Sequence, residues 1–329
     1  VLVLDAGGTN LRAERVRFDE AGKPVTEALQ KRRMPGTLGR DTSAEEMFRA
    51  FAELALTVAG DADRACIAFS FPCECLANGD GRIISMGKES RVTGAEGKLV
   101  CEGIETAMRA LGASGTRRWR LINDTVGSML GGMASCDRSR YADFIGFILG
   151  TGTNACCHVK ACDVTKSPET VAMGGETLVN LESGCFGRAL RGTADIAVDE
   201  ASGLPGDHPA EKMISGAYYR LLLRETLLLA AKEGFLSAKS RENIAALSVT
   251  SAMVDAFCLD PMGGNAVAEA LETEKDRRFA SEINTMLLER AARIAAACLC
   301  AILRERGFGA GTLTGITRGV DVIEYSAGA

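Results

Sequence analysis

The chain carries one pattern twice, an apolar strand running straight into a glycine–threonine turn. The first copy is Val1-Leu2-Val3-Leu4 followed by Asp5-Ala6-Gly7-Gly8-Thr9-Asn10. The second, 144 positions on, is Phe144-Ile145-Gly146-Phe147-Ile148 followed by Leu149-Gly150-Thr151-Gly152-Thr153-Asn154. Four apolar residues in a row read as a strand buried on both faces. Adjacent glycines suit a tight turn and let backbone N–H groups approach an anion without a side chain between. Thr9 adds a hydroxyl, Asp5 sets a carboxylate at the strand end, and Leu11 to Phe18 returns as the second strand of a hairpin. One such turn is an ordinary hairpin. Two of them, each at a strand end, predict two similar halves with a phosphate chain held between them.

At 329 residues the chain is long enough for two domains with cores of their own. A net charge of −5 argues against nucleic acid as a partner, because phosphate contacts must then come from local donors. No apolar run approaches the roughly 18–20 residues that span a bilayer, so no membrane partner is expected. The sequence opens on a strand without Met, which leaves its native start, and any leader, outside what is read here. Twelve cysteines stand mostly in apolar segments, with no C-x-x-C pair and only two histidines. That spacing predicts buried, reduced thiols in a cytoplasmic protein and no zinc site.

Along the chain, Ala44 to Leu56 has helical apolar spacing, with Ser43 or Thr42 as N-cap and Gly60 as stop. Ala65 to Ser70 reads as a strand broken at Pro72, Arg82 to Ser85 as an edge strand, and Leu99 to Leu111 as a helix. Trp119 to Ile122 is a further buried strand, and Thr125 to Ala134 a helix of small residues. In the second half Gly174 to Gly187 reads as loop, Pro209 to Lys232 and Lys275 to Arg306 as helices, and Gly311 to Ile316 as a last strand. This order predicts an α/β chain with mixed sheets.

The chemistry-bearing candidates stand where strands end. Asp124 starts a helix, and an N-cap role alone would account for it. Ser70 suits a turn, Glu182 a solvated loop, Glu211 the favourable end of a helix dipole, and Lys88 an open surface. In combination and order they say more. The segments Leu4 to Arg12, Phe69 to Cys73, Ile122 to Gly127, Gly150 to Cys156, Val179 to Gly187 and Glu211 to Gly216 together resemble the hexokinase family of ATP-dependent sugar kinases. Those six motifs cover residues 1 to about 235.

The resemblance implies an α/β chain of two-domain actin-like ATPase (ribonuclease H-like) fold, with mixed β-sheets flanked by helices. It implies a small domain over 1–122 and a large one over 123–329. It matches Ser70, Lys88, Asn123, Asp124, Asn154, Glu182 and Glu211 to the groups that hydrogen-bond sugar hydroxyls. Asp124 matches the base that takes the C6 hydroxyl proton, and Lys88 the cation beside the transferring phosphoryl group. Gly7, Gly8, Thr9, Asn10, Arg12, Gly150, Thr151, Gly152 and Thr153 would hold ATP phosphates, and Asp5 would position Mg²⁺ through water. Glucose is the implied acceptor, with mannose or fructose open, and closure of the small domain would keep water from the reaction.

Three departures stand out. Gly87 replaces the threonine usual before the lysine, and Ser183 the tryptophan usual after the loop glutamate. Where the family continues through a V-D-G-[ST] turn, an adenosine-contacting glycine loop and a last helix, Leu313 to Ile323 leads almost directly to Ser326-Ala327-Gly328-Ala329. A C-terminal part that is incomplete is the expectation, and a degraded adenine site the alternative. A hexokinase-like sugar sensor without turnover, and a general actin-like ATPase, are the rival readings.

Overall fold

The computed structural model describes the chain apart from residues 21, 38, 77, 87–89, 309–312, 319–320 and 327–329. For Leu313, Arg318 and Asp321–Ser326 it describes the main chain only. Lys88 therefore lies outside the described residues. Two compact units emerge, Val1–Ala134 and Ser135–Ala329. The boundary read from the sequence stands at 122, and the first unit runs on through most of the following helix.

The first unit contains β1 (Leu2–Ala6), β2 (Asn10–Phe18), β3 (Pro24–Arg33), β4 (Thr42–Ser43) and α1 (Ala44–Leu56). Then come β5 (Arg64–Phe69), β6 (Cys73–Cys75), β7 (Gly81–Ile83), β8 (Val92–Thr93), α2 (Val100–Ala110), β9 (Arg118–Ile122) and α3 (Asp124–Ser135). Its main sheet has the order β3-β2-β1-β5-β9. β1, β2 and β3 form an antiparallel meander, and β5 and β9 run parallel to β1. Leu2, Leu4 and Ala6 are fully buried, as expected of a central strand. The strand expected over Arg82 to Ser85 is not an edge of this sheet. It pairs with β6 in a separate two-stranded ribbon.

Helix boundaries follow local chemistry. Ser43 caps α1: its Oγ accepts the Glu46 N–H at 3.1 Å while Glu46 Oε2 accepts the Ser43 N–H at 2.8 Å. The cap of α2 comes from a distant residue, because Asp80 accepts the N–H groups of Cys101 at 2.7 Å and Glu102 at 3.0 Å. Met47, Phe48 and Phe51 of α1 then pack with Val100, Ile104 and Met108 of α2 in the first core.

The second unit contains β10 (Asp143–Leu149), β11 (Thr153–Lys160), α4 (Pro168–Met173), β12 (Glu176–Asn180), α5 (Thr193–Glu200), α6 (Pro209–Ile214) and α7 (Gly216–Lys232). It continues with α8 (Ala238–Ala246), α9 (Ser251–Leu259), α10 (Ala266–Ala270), α11 (Glu274–Glu305), β13 (Leu313–Arg318) and β14 (Asp321–Ser326). The sheet order is β12-β11-β10-β13-β14, the same path as in the first unit. The repetition read from the two glycine turns is thus a repetition of whole sheets. One strand breaks it: β14 runs antiparallel to β13, where β9 runs parallel to β5.

Two expectations need correction here. The segment expected to be loop over Gly174 to Gly187 contains β12, whose pairing with β11 absorbs its polar backbone. The helix expected over Pro209 to Lys232 is two helices, broken at Ser215, which adopts extended backbone (φ −80°, ψ 155°). Among the described residues no helix is long and apolar enough to cross a membrane.

Among the described residues no disulfide joins any of the twelve cysteines, and five of them are exposed: Cys75, Cys162, Cys185, Cys258 and Cys300. The expectation of buried thiols therefore holds for only part of the set. Trp119, the single tryptophan, lies in the first core and reports on that unit alone. Phe51→Ala removes a ring that is 0% exposed, and a loss of about 3–5 kcal/mol is expected. Urea unfolding followed by Trp119 fluorescence should show a lower midpoint, and an unchanged one would contradict this packing.

Candidate active site

In the first unit the candidate residues collect at one edge of the sheet. β1, β5 and β9 are parallel neighbours, so their C-terminal ends lie side by side and present Asp5, Ser70 and Asn123-Asp124 together. The Ser70 N–H donates to the Ala6 carbonyl at 3.1 Å, which ties the second strand end to the first hairpin. Asp5 pairs across that hairpin with Arg12 in a direct ion pair.

Asn123 rather than Asp124 stands at the N-cap of α3. Its carbonyl accepts the Gly127 N–H at 2.9 Å and its Oδ1 accepts the Thr125 N–H at 2.8 Å. Asp124 Oδ1 shares that same N–H at 2.9 Å. Its Oδ2 has no hydrogen-bond partner among the described residues, and the side chain is half-buried. A carboxylate anchored by one oxygen and open at the other can accept a proton from a fixed direction.

The two glycine hairpins share a donor arrangement. In the first, Gly7 N–H closes onto the Asn10 carbonyl at 3.0 Å. In the second, Gly150 N–H closes onto the Gly152 carbonyl at 2.8 Å. Among the described residues the N–H groups of Gly8 and Thr9, and of Thr151 and Gly152, make no hydrogen bond. Two consecutive unpaired donors at a turn form a concave anion site. This fits the phosphates of a nucleotide, and Asp5, a hard oxygen ligand at the neighbouring strand end, fits Mg²⁺.

The second hairpin is braced from beneath. Gly216 N–H donates to the Gly150 carbonyl at 2.8 Å, which seats the hairpin on the start of α7. Glu211, buried in α6, accepts the Thr153 N–H at 2.9 Å. A Cβ on Gly152 would lie 2.4 Å from that same Glu211 Oε2. Gly184 also packs on it, less tightly, since a Cβ there would lie 3.2 Å from Glu211 Cβ.

Asn154 and Glu182 meet directly. Asn154 Nδ2 donates to Glu182 Oε1 at 3.2 Å and to Asn180 Oδ1 at 2.9 Å. Its Oδ1 accepts the N–H groups of Ala155 at 2.8 Å and Ser183 at 3.2 Å. Asn180 also donates to Glu182, which holds a left-handed backbone (φ 48°). Three residues outside the sequence expectations therefore shape this region. Asn180 orients Glu182, and the Lys212–Asp199 pair, 2.6 Å apart and buried, anchors α6 beneath Glu211. Asp199 also takes Arg191 at 2.9 Å and the Gly206 N–H at 2.9 Å. Asn180 and Lys212 stand inside motif segments, whereas nothing in the sequence around Asp199 marks it.

The glycine requirement separates two positions of one turn. Gly152→Ala forces Glu211 off the Thr153 N–H and should cost about 1–3 kcal/mol. Gly150→Ala meets no atom within 4 Å and should leave stability nearly unchanged. Thermal unfolding of the two variants checks this, and equal melting temperatures would refute the role given to Glu211.

Family models described as hexokinase match residues 1–134 and 144–322. The hexokinase-like 1 protein of Arabidopsis thaliana is 31% identical over 92% of this chain and 65% of its own length. Hexokinase-1 of Schizosaccharomyces pombe is 28% identical over 92% of this chain and 66% of its own. The chain thus spans less than two thirds of the length of these relatives. Among solved structures, a hexokinase from Schistosoma mansoni complexed with glucose superposes with a TM-score of 0.77 and 25% identity, over 97% of this chain and 74% of that one. The fold is that of the actin-like ATPases, and the chain belongs to the hexokinase family.

Proposed function

We propose that the protein transfers the γ-phosphoryl group of ATP to the C6 hydroxyl of a hexose, with glucose as the acceptor and mannose or fructose as alternatives. The observation that carries this reading is Asp124, a half-buried carboxylate with one oxygen spent on its own helix and the other unpartnered among the described residues. In that role it takes the hydroxyl proton as the oxygen attacks phosphorus. Asn123 fixes the start of the helix, and with it the direction Asp124 presents.

Ser70, Asn154, Glu182 and Glu211 are the residues we assign to the other sugar hydroxyls. A polyol needs several convergent donors and acceptors, and carboxylates or amides take vicinal hydroxyls in pairs. Glu182 has an oxygen to offer, because its Oε1 already holds Asn154 and Asn180. The free N–H pairs at Gly8-Thr9 and Thr151-Gly152, with Arg12, Asn10 and Thr153, suit the phosphates of ATP. Mg²⁺ near Asp5 would neutralise phosphate charge, and Lys88 keeps the role its motif implies. Twelve cysteines with no disulfide among the described residues suit a reducing compartment, and we place the reaction in the cytoplasm.

Sugar-dependent ADP release by the full chain tests this. Asp124→Asn should lower kcat about 10²–10⁴-fold with the hexose still bound. Glu182→Gln should act mainly through KM for the sugar. Glucose binding without ADP release would overturn phosphoryl transfer in favour of a sensor, and ADP release independent of sugar would overturn the acceptor.

A further inference from the structure

Beside the proposed sugar residues stands a group of side chains that sugar binding does not require. Cys185 lies three residues beyond Glu182, and His208 arrives from the loop that enters α6. A carboxylate oxygen of Glu182, the Sγ of Cys185 and a ring nitrogen of His208 lie within 4.8 Å of one another. They form the only such trio of potential ligands among the described residues. Glu182 and Cys185 are exposed and His208 is half-buried, so an ion can reach them.

We propose that Glu182, Cys185 and His208 bind a zinc ion with three protein ligands and one open position. Thiol, imidazole and carboxylate together select a borderline-soft cation, whereas Mg²⁺ and Ca²⁺ call for oxygen donors alone. In a tetrahedral zinc site, with Zn–S about 2.3 Å and Zn–N about 2.0–2.1 Å, ligand atoms stand about 3.5 Å apart. Small side-chain rotations close the set to that distance. On binding, the Cys185 S–H proton leaves to solvent, a Zn–S bond forms, and hydration water departs.

The surroundings favour such an ion in two further ways. His208 Nδ1 lies 2.9 Å from Asp207 Oδ2. A neutral imidazole held so carries its proton on Nδ1 and turns a lone pair outward on Nε2, the arrangement that supports histidine ligands in zinc sites. The charges of Glu182, Asp207 and Glu211 all act at the position of Cys185. That negative field attracts a dication. Glu182 and His208 are also the two described non-glycine residues with left-handed backbone, at φ 48° and 46°.

One consequence rests on the sugar role proposed for Glu182. An ion on that carboxylate takes away an acceptor of the hexose, so zinc and sugar compete for the chain.

Cobalt(II) replaces zinc and makes the site visible. Titration of the full chain should give one equivalent with tetrahedral ligand-field bands and a thiolate-to-cobalt charge-transfer band, displaced by zinc. Cys185→Ser should remove the charge-transfer band of that equivalent. His208→Asn, which keeps a residue tolerant of left-handed backbone, should weaken it at least tenfold, and Asp207→Asn about 10–100-fold. An equivalent that survives both Cys185→Ser and His208→Asn with unchanged affinity would overturn the site. Calorimetry of glucose with and without zinc tests the competition. A weaker apparent glucose affinity in the parent chain but not in Cys185→Ser supports it, and an unshifted affinity refutes it. Absence of glucose binding under all conditions would instead refute the sugar reading while the cobalt result stands.

Discussion

The buried carboxylate of Glu211 is the contact on which the organisation of the second unit turns. It accepts the Thr153 N–H, and it lies where a side chain on Gly152 would otherwise stand. A glycine turn has little stability of its own, because its residues lose the most conformational freedom on ordering. Here the turn is clamped between that carboxylate and the start of α7, through the Gly216 N–H. The clamp needs α6 to be fixed, and the Lys212–Asp199 pair fixes it. A buried ion pair of this kind contributes little net stability, but loss of one partner strands a charge. Its value is positional: it sets the height of Glu211 against the hairpin.

The first unit reaches a similar end by different means. Among the described residues no buried acid bonds to its hairpin, and Asp5 pairs with Arg12 on the strand beside it. The polar residues there are gathered by parallel strands that stop at one edge, so the positions of Ser70 and Asp124 follow from the sheet register. The helix after β9 then turns its first carboxylate outward, because Asn123 has already taken the capping role.

Much of this was legible in the chain. Apolar runs marked β1, β5, β9 and β10, and Thr42-Ser43 ahead of a helical apolar pattern marked the start of α1. The glycine turns announced the internal repeat before any sheet was seen. Local patterns failed where structure was made by distant partners. β12 looked like loop because its polar residues are satisfied by β11, and α2 is capped by Asp80 from a turn some twenty residues earlier. The break at Ser215 was hidden because Met213, Ile214 and Tyr219 keep an apolar pattern across it.

The sequence by itself determined the repeated α/β plan, the order of the motifs and the identity of the residues at the strand ends. Those properties depend on neighbours within a few positions, which side-chain periodicity and turn chemistry encode directly. Only the tertiary structure decided which of these residues meet. Glu211 reaches a hairpin 58 positions away, and Asn154 reaches Glu182 across 28. His208 comes to Cys185 although the spacing of cysteine and histidine spoke against any zinc site. Contacts of that kind are set by sheet register and helix packing, and no local pattern carries them.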